Sequence, residues 1–245
     1  MNTITGGAGA DELSGDAGDD TFNFASAAEL AADVTVDGGA DTDIIVFSTA
    51  DQTVLDTDFA NVSLMEGLTF NSGTNSVILA AAAANAFANL TVTGGSGTDS
   101  IDLDNIGWNE SITVVGAGGN DVIQLNTIFV ANNDVVELGT VALAGMDDVT
   151  GFLATGAADK FKFVTGDVYS GVGVVAGANI TEAQANAIAA SLGAWDTTGD
   201  AIGFIWNANN YIMINGNNDA TFSNNDDAIV EVGDLTGYGA ANFIA

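Results

Sequence analysis

Short runs in which apolar and polar residues alternate recur along the first half of the chain, joined in pairs by glycine-rich corners. Leu90-Thr91-Val92 leads through Thr93-Gly94-Gly95-Ser96-Gly97-Thr98 into Asp99-Ser100-Ile101-Asp102-Leu103. Ile112-Thr113-Val114 leads through Val115-Gly116-Ala117-Gly118-Gly119-Asn120 into Asp121-Val122-Ile123-Gln124-Leu125, every position 22 residues on, as Asp121 is from Asp99. Leu68-Thr69-Phe70 with Asn75-Ser76-Val77-Ile78-Leu79 fits the same frame another 22 residues upstream, with a corner that reads two residues shorter and Asn75 in place of Asp. Val34-Thr35-Val36, followed by a Gly/Asp turn and Asp43-Ile44-Ile45-Val46-Phe47, reads as a fourth copy. Period-2 alternation is the mark of a strand with one buried face. A strand–corner–strand unit recurring every ~20 residues cannot bury that face alone and has to stack on its neighbours. The expected fold is therefore all-β, a parallel β-solenoid (β-roll or β-helix), with Leu90 over Ile112 and Ile101 over Ile123.

Beyond Asp134-Val135-Val136-Glu137-Leu138 the register blurs, and Asp147-Asp148-Val149 and Asp159-Lys160-Phe161 are echoes of it. Thr181-Glu182-Ala183-Gln184 has capping-box form and opens a helix predicted to run through Leu192 to Gly193. Strand-like runs at Ile202–Trp206, Tyr211–Ile214 and Ala228–Val232 follow, separated by Asn/Gly/Asp turns. The pattern divides the chain into a repeat region, 1–159, and a small C-terminal α+β cap, 160–245, which would keep the last rung from being a bare edge. The alanine-rich stretch from Val77 to Leu90, broken by Asn85 and Asn89, is too short to span a bilayer. No basic and apolar leader precedes the first glycines.

Composition narrows the function. The chain carries 33 acidic side chains against 2 basic ones, a net charge of −31, yet 47% of its residues are hydrophobic. It has apolar surface enough for a core and too little charge content for simple disorder. With no Cys, no His and no Arg, thiol nucleophiles, histidine triads, zinc sites and bidentate phosphate clamps are excluded. The field repels nucleic acids and anionic membranes, so neither is expected as a partner. Disulfides are excluded too, and a polyanion of this size needs cations to stay compact.

The corners supply a place for them. Residues 6–14 and 15–23 form a tandem pair of nonapeptides fitting G-G-x-G-x-D-x-U-x, with Asp16 for the second glycine of the latter copy. Residues 94–102 fit it fully, and 38–46 and 116–124 fit with one or two departures, including Asp41 at the third-glycine position. Glycines turn the backbone sharply and aim carbonyl oxygens inward, while the sixth-position Asp adds carboxylate oxygen. Two such turns on adjacent rungs offer the hard oxygens that Ca²⁺ takes at about 2.4 Å. The candidate ligand residues are Gly7, Gly9, Asp11, Asp16, Gly18, Asp20, Asp41, Asp43, Gly95, Gly97, Asp99, Gly119 and Asp121, with Asp99 and Asp121 foremost because their turns stack. Asn75 is expected to be metal-free.

In these nonapeptides the sequence resembles the RTX family of calcium-binding bacterial proteins secreted by the type I route. The resemblance implies a parallel β-roll that folds outside the cell on calcium, and export through a one-step channel guided by an uncleaved C-terminal signal. The segment from Asp226 to Ala245 looks like such a tail. The longer rungs and sparser turns look more like calcium-dependent S-layer proteins and related surface proteins of this secretion class.

The remaining candidates are weaker. Thr35, Thr69, Thr91 and Thr113 are expected at one outward place on successive rungs, where a regular rank can order ice, although β-branched residues suit strands for ordinary reasons. Asp102 and Asp104 near Asp99 form carboxylate pairs, but with no basic partner they do not argue for a glycosidase. Trp108, Trp195 and Trp206 are expected to pack in the core or cap, and Lys160 and Lys162 to neutralise an acidic stack. The resulting expectation is a non-enzymatic, secreted, calcium-stabilised protein of the cell surface that assembles with itself into a layer or filament. The alternative is a calcium-dependent adhesion or ice-binding module, or the secretion tail of a larger exoprotein.

Overall fold

The computed structural model describes residues 1–103, 106, 112–125, 135–137, 147–150, 160–162, 169–191, 195, 200–216, 220–222, 227–238 and 242–244. Trp108, Asp104 and part of the C-terminal segment lie outside these residues. So do the side chains of Lys160 and Lys162, whose strand is described.

The alternating runs form short parallel strands that return to the same sheet one rung later. Sheet I has nine strands, from Thr3–Ile4 to Phe243–Ile244, sheet II has nine, and sheet III has three. Each sheet turns one row of side chains inward. In sheet I that row is Ile4, Phe22, Ile45, Leu68, Val92, Val114 and Val136, each in register with the next. In sheet II it is Val54, Val77, Ile101, Ile123, Val149 and Val232, and in sheet III Leu13, Val36 and Val62. Nearly all of these are buried. A second inward column stacks Phe24, Phe47 and Phe70, with ring centroids 6.4 and 5.5 Å apart.

The expected pairing of Ile101 with Ile123 and of Val92 with Val114 is present. Two other expectations are corrected. The unit Val34–Phe47 runs from sheet III to sheet I, whereas the Leu68, Leu90 and Ile112 units run from sheet I to sheet II, so it is no copy of them. Leu68 pairs with Val92 and not Leu90, because the strand Phe87–Thr93 bulges between Phe87 and Thr91, where Asn89 is left-handed (φ 52°). With that register the corner ending at Asn75 is as long as the one ending at Asp99, and those residues lie 24 apart. The same shift breaks the threonine rank. Thr91 faces Thr113 and Gly67, Thr69 faces Thr93, and Thr35 belongs to sheet III.

Three short helical pieces fill the remaining side. Helix α1 (Ala27–Ala32) was not anticipated, although Ser26 and Glu29 have capping-box spacing: the Glu29 N–H donates to the Ser26 hydroxyl at 3.3 Å, and Glu29 Oε2 accepts the N–H of Ala25, just before the cap, at 2.6 Å. A 3₁₀ turn at Asp56–Phe59 lies beneath α2 (Ala81–Ala86). The Asp56 carboxylate receives the N–H groups of Ala80, Ala82 and Ala83 at 2.8–3.0 Å, satisfying donors that the helix start leaves free.

Strands from the segment expected as the cap pair with strands of the repeat region. Lys160–Lys162 and Phe243–Ile244 extend sheet I, and Ala228–Val232 extends sheet II beside Asp147–Thr150. Between them lie Tyr169–Val174, helix α3 (Ile180–Ala190) and the antiparallel pair Ala201–Trp206 and Asn209–Ile214. The cap of helix α3 lies two residues before the expected one: it is Asn179, its side chain accepting the Glu182 N–H at 3.0 Å. Trp195 is buried, and Trp206 donates its indole N–H to the Gly177 carbonyl at 2.9 Å.

Phe47 sits fully buried at the middle of the aromatic column. Phe47→Ala is expected to lower unfolding stability by about 3–5 kcal/mol, measured by denaturant titration at fixed calcium. A loss under 1 kcal/mol would mean the column contributes little packing.

Candidate metal centre

At the start of most of the described strands that follow a corner, one acidic or amide residue turns inward, and these residues stack into columns. Where sheet III passes to sheet I the column is Asp20, Asp43 and Glu66. The Asp20 N–H donates to Asp43 Oδ1 and the Asp43 N–H to Glu66 Oε2, both at 2.8 Å and both across 23 residues. Where sheet I passes to sheet II it is Gln52, Asn75, Asp99 and Asp121, and the Asp99 N–H donates to Asp121 Oδ1 at 2.8 Å. Where sheet I first passes to sheet III it is Asp11 and Asp33, with the Asp11 N–H on Asp33 Oδ1 at 3.1 Å. The peptide N–H of one rung is thus satisfied by the carboxylate of the next.

That bond uses one oxygen of each carboxylate. The other, Oδ2, is buried without a hydrogen-bond partner in Asp11, Asp20, Asp33, Asp43 and Asp99. Leaving a buried charged acceptor unsatisfied costs several kcal/mol or more (~1–3 even for a neutral group), and the same omission recurs on all three columns. A glycine lies against Oδ2 at each nonapeptide corner. A Cβ on Gly6, Gly15 or Gly38 would stand 2.9 Å from Oδ2 of Asp11, Asp20 or Asp43 respectively. Gly94 and Gly116 hold the same place against Asp99 and Asp121. The corners stack closely: Gly18 donates to the Ala40 carbonyl at 3.1 Å, Gly118 to that of Gly95 at 3.0 Å, and Ala17 bridges Ala40.

Among the described residues no three carboxylates converge. A cation held here takes most of its oxygens from backbone carbonyls, the donor set that suits Ca²⁺ and not a thiolate- or imidazole-seeking metal. Gly7, Gly9, Gly18, Gly95 and Gly119 have positive φ and turn the peptide planes. Asp16 (φ 66°), Asp41 (φ 82°) and Ala117 (φ 71°) occupy equivalent left-handed places without being glycine. The Asp16 and Asp41 side chains are exposed, and Asp41 receives the Gly18 N–H at 3.1 Å, so both lie at the outer rim of the corner. Gly97 packs against the carbonyl of Gly73.

The sequence-tandem pair is not a spatial pair: residues 6–11 and 15–20 lie at different corners, because the first rung, 18 residues long, crosses from sheet I to sheet III and back. The corners that stack are 15–20 with 38–43 and 94–99 with 116–121, so Asp43 is placed as directly as Asp99. Asp11 faces Asp33, which follows helix α1 in place of a further nonapeptide. Asp33, Glu66 and Gln52 went unnoticed in the sequence. Their signal was the 22- or 23-residue spacing from Asp11, Asp43 and Asn75.

Burial raises the carboxyls of Asp43, Asp99, Asp33 and Glu66 above their ordinary values, partly offset in each by the N–H it receives. Repulsion from Asp20, Asp19 and Asp41 adds to the rise at Asp43. A neighbouring divalent ion removes this penalty.

Residues 1–26 match the family model of the RTX calcium-binding nonapeptide repeat (4 copies). Comparison with curated proteins and with solved structures gives no match. The match spans the 18-residue first rung and its two corners, and repeats of this kind bind Ca²⁺ and are typical of secreted proteins. No helix among the described residues is long and apolar enough to cross a membrane.

The raised carboxyls fix the sign of a pH effect. The metal-free folded chain holds more protons than the unfolded one at Asp43 and Asp99. Their contribution is fully present below the ordinary Asp value of 3.8 and is lost as pH rises through the higher folded values. Calcium reverses this, since its ligands must be deprotonated. In chelator the thermal midpoint is expected to rise on acidification from neutral pH, and in excess calcium to fall. Parallel slopes in the two conditions would contradict calcium binding at these carboxylates.

Proposed function

We propose that the chain is a secreted, calcium-stabilised β-solenoid with a structural role, assembling with copies of itself into a surface layer or extracellular filament. The observation that carries this reading is the outward face of sheet I. On the strands from Thr21 to Val115 the half-buried positions alternating with its core column, among them Thr21, Ile44, Val46, Thr91, Thr113 and Val115, bear no charge, and charged residues enter that register only on the next two strands, at Glu137, Lys160 and Lys162. On the earlier rungs charge lies elsewhere: Glu12 and Asp37 on sheet III, Asp102 on sheet II, and Asp16, Asp19, Asp41 and Asp51 at the corner rims. Two molecules of net charge −31 repel wherever those rims meet, and approach at least cost through the uncharged face. Calcium then acts twice, neutralising the columns within a molecule and screening or bridging the rims between molecules.

A catalytic role is not supported, since the buried carboxylates are tied to backbone N–H groups and no Arg or His accompanies them. The reading includes export by a type I route, with the segment from Asp226 to Ala245 as its signal. It is supported by the resemblance of the repeats and by a fold that calcium would complete only after export.

Electron microscopy in millimolar calcium is expected to show ordered sheets or filaments. Thr91→Glu with Thr113→Glu, which charges the face, is expected to leave monomers whose circular dichroism still responds to calcium. Persistent wild-type monomers would sink the assembly reading and favour a binding module. Asp99→Ala with Asp121→Ala is expected to raise severalfold the calcium needed for β structure to form, and an unchanged calcium midpoint would remove those residues from the site.

A further inference from the structure

The column Gln52, Asn75, Asp99, Asp121 changes chemistry halfway along, two amides followed by two carboxylates. Asn75 is 1% exposed, and its Oδ1 accepts the Gln52 N–H at 3.0 Å just as Asp121 Oδ1 accepts that of Asp99. Its Nδ2 stands where Oδ2 stands in the aspartates. Four oxygens surround that nitrogen: the carbonyls of Ser72 at 3.4 Å, Gly73 at 3.3 Å and Gly94 at 3.0 Å, and Asp99 Oδ1 at 2.8 Å. An amide has two hydrogens to give, so the nitrogen sits in a cage with more acceptors than it can serve. Such a cage suits a cation. One rung earlier Gln52 repeats the arrangement, its Nε2 facing the Thr49 carbonyl at 3.3 Å, the Thr49 hydroxyl at 2.7 Å and the Ala50 carbonyl at 3.0 Å.

We infer that the Asn75 amide nitrogen is a built-in substitute for a calcium ion, with Gln52 acting likewise. The choice of amide or carboxylate at this one position decides which corners take metal. The inference rests on the calcium reading of the corners and goes beyond it. It makes the rungs between Ile44 and Leu79 self-sufficient and confines calcium dependence to either side. One rung on, register gives the carbonyls of Ser96, Gly97 and Gly116 and the Asp121 carboxylate as the equivalents of the cage, and Asp99 Oδ2, the equivalent of the amide nitrogen, has no donor. The amide also explains why Asn75 needs no metal although its corner has full length.

Calcium titration by isothermal calorimetry on wild type, Asn75→Asp and Asp99→Asn tests this. Asn75→Asp is expected to bind one more Ca²⁺ per chain than wild type, and its thermal midpoint in chelator to fall while that in calcium recovers. Asp99→Asn is expected to bind one fewer and to keep its β circular dichroism in chelator at least as well as wild type. If wild type binds calcium and both variants bind the same number of ions as wild type, the inference is overturned while the calcium reading stands. If wild type takes up no calcium, the calcium reading itself has failed and the inference falls with it.

Discussion

Most of the described corners of the ladder bury a carboxylate or an amide, and the second heteroatom of that group has to be answered. The first heteroatom is answered by the chain: Asp43 takes the Asp20 N–H, Asp121 that of Asp99, Asp33 that of Asp11. This bond fixes the register between rungs, since a slip of one residue would bury a free N–H beside a free carboxylate. The second oxygen has no hydrogen-bond partner at Asp20, Asp43 or Asp99, and a Cβ on the glycine facing it would crowd it. On the calcium reading proposed above, the ion supplies that missing partner and couples corner stability to calcium.

The rest of the fold is arranged around that coupling. The aliphatic columns of sheets I and II stack in parallel register, and their burial supplies the main driving force for closure. Where a nonapeptide is missing, the chain uses other means to satisfy its backbone. Helix α1 takes the third corner and hands over to Asp33, and the Asp56 carboxylate caps α2. Gln52 and Asn75 place an N–H₂ group among carbonyls. A carboxylate with one oxygen left unpartnered, an amide among carbonyls and a capped helix are three forms that the same burial problem takes along the ladder.

The charge of −31 is distributed to match. Carboxylates stand in the columns and on the corner rims, while the outward positions of sheet I from Thr21 to Val115 are uncharged and mostly threonine, valine and isoleucine. A face of that kind on a strongly acidic molecule separates the surface that meets other copies from the surface that meets ions and water, and gives the proposed assembly a geometry.

Strand identity, parallel stacking at a 22-residue period and oxygen-rich corners were legible from Leu90 to Leu125, because alternation and glycine placement repeat there without interruption. The nonapeptides at 6–23 made the cation chemistry legible as well, since Gly and Asp at fixed spacing are required by the turn itself. Which corners lie together was legible for Asp99 and Asp121 but not on the first rungs. Asp11 and Asp20 are neighbours in sequence and sit at different corners, while Asp20 and Asp43, 23 residues apart, share one. The bulge at Asn89 moved Leu68 opposite Val92 and took Thr69 out of the expected threonine rank, because the residues it inserts shift the pairings that follow it while Phe87 stays opposite Met65. Local residue chemistry is written in the chain, but the oxygens that meet around Asn75 come from three segments, and only the path of the folded backbone brings them to one point.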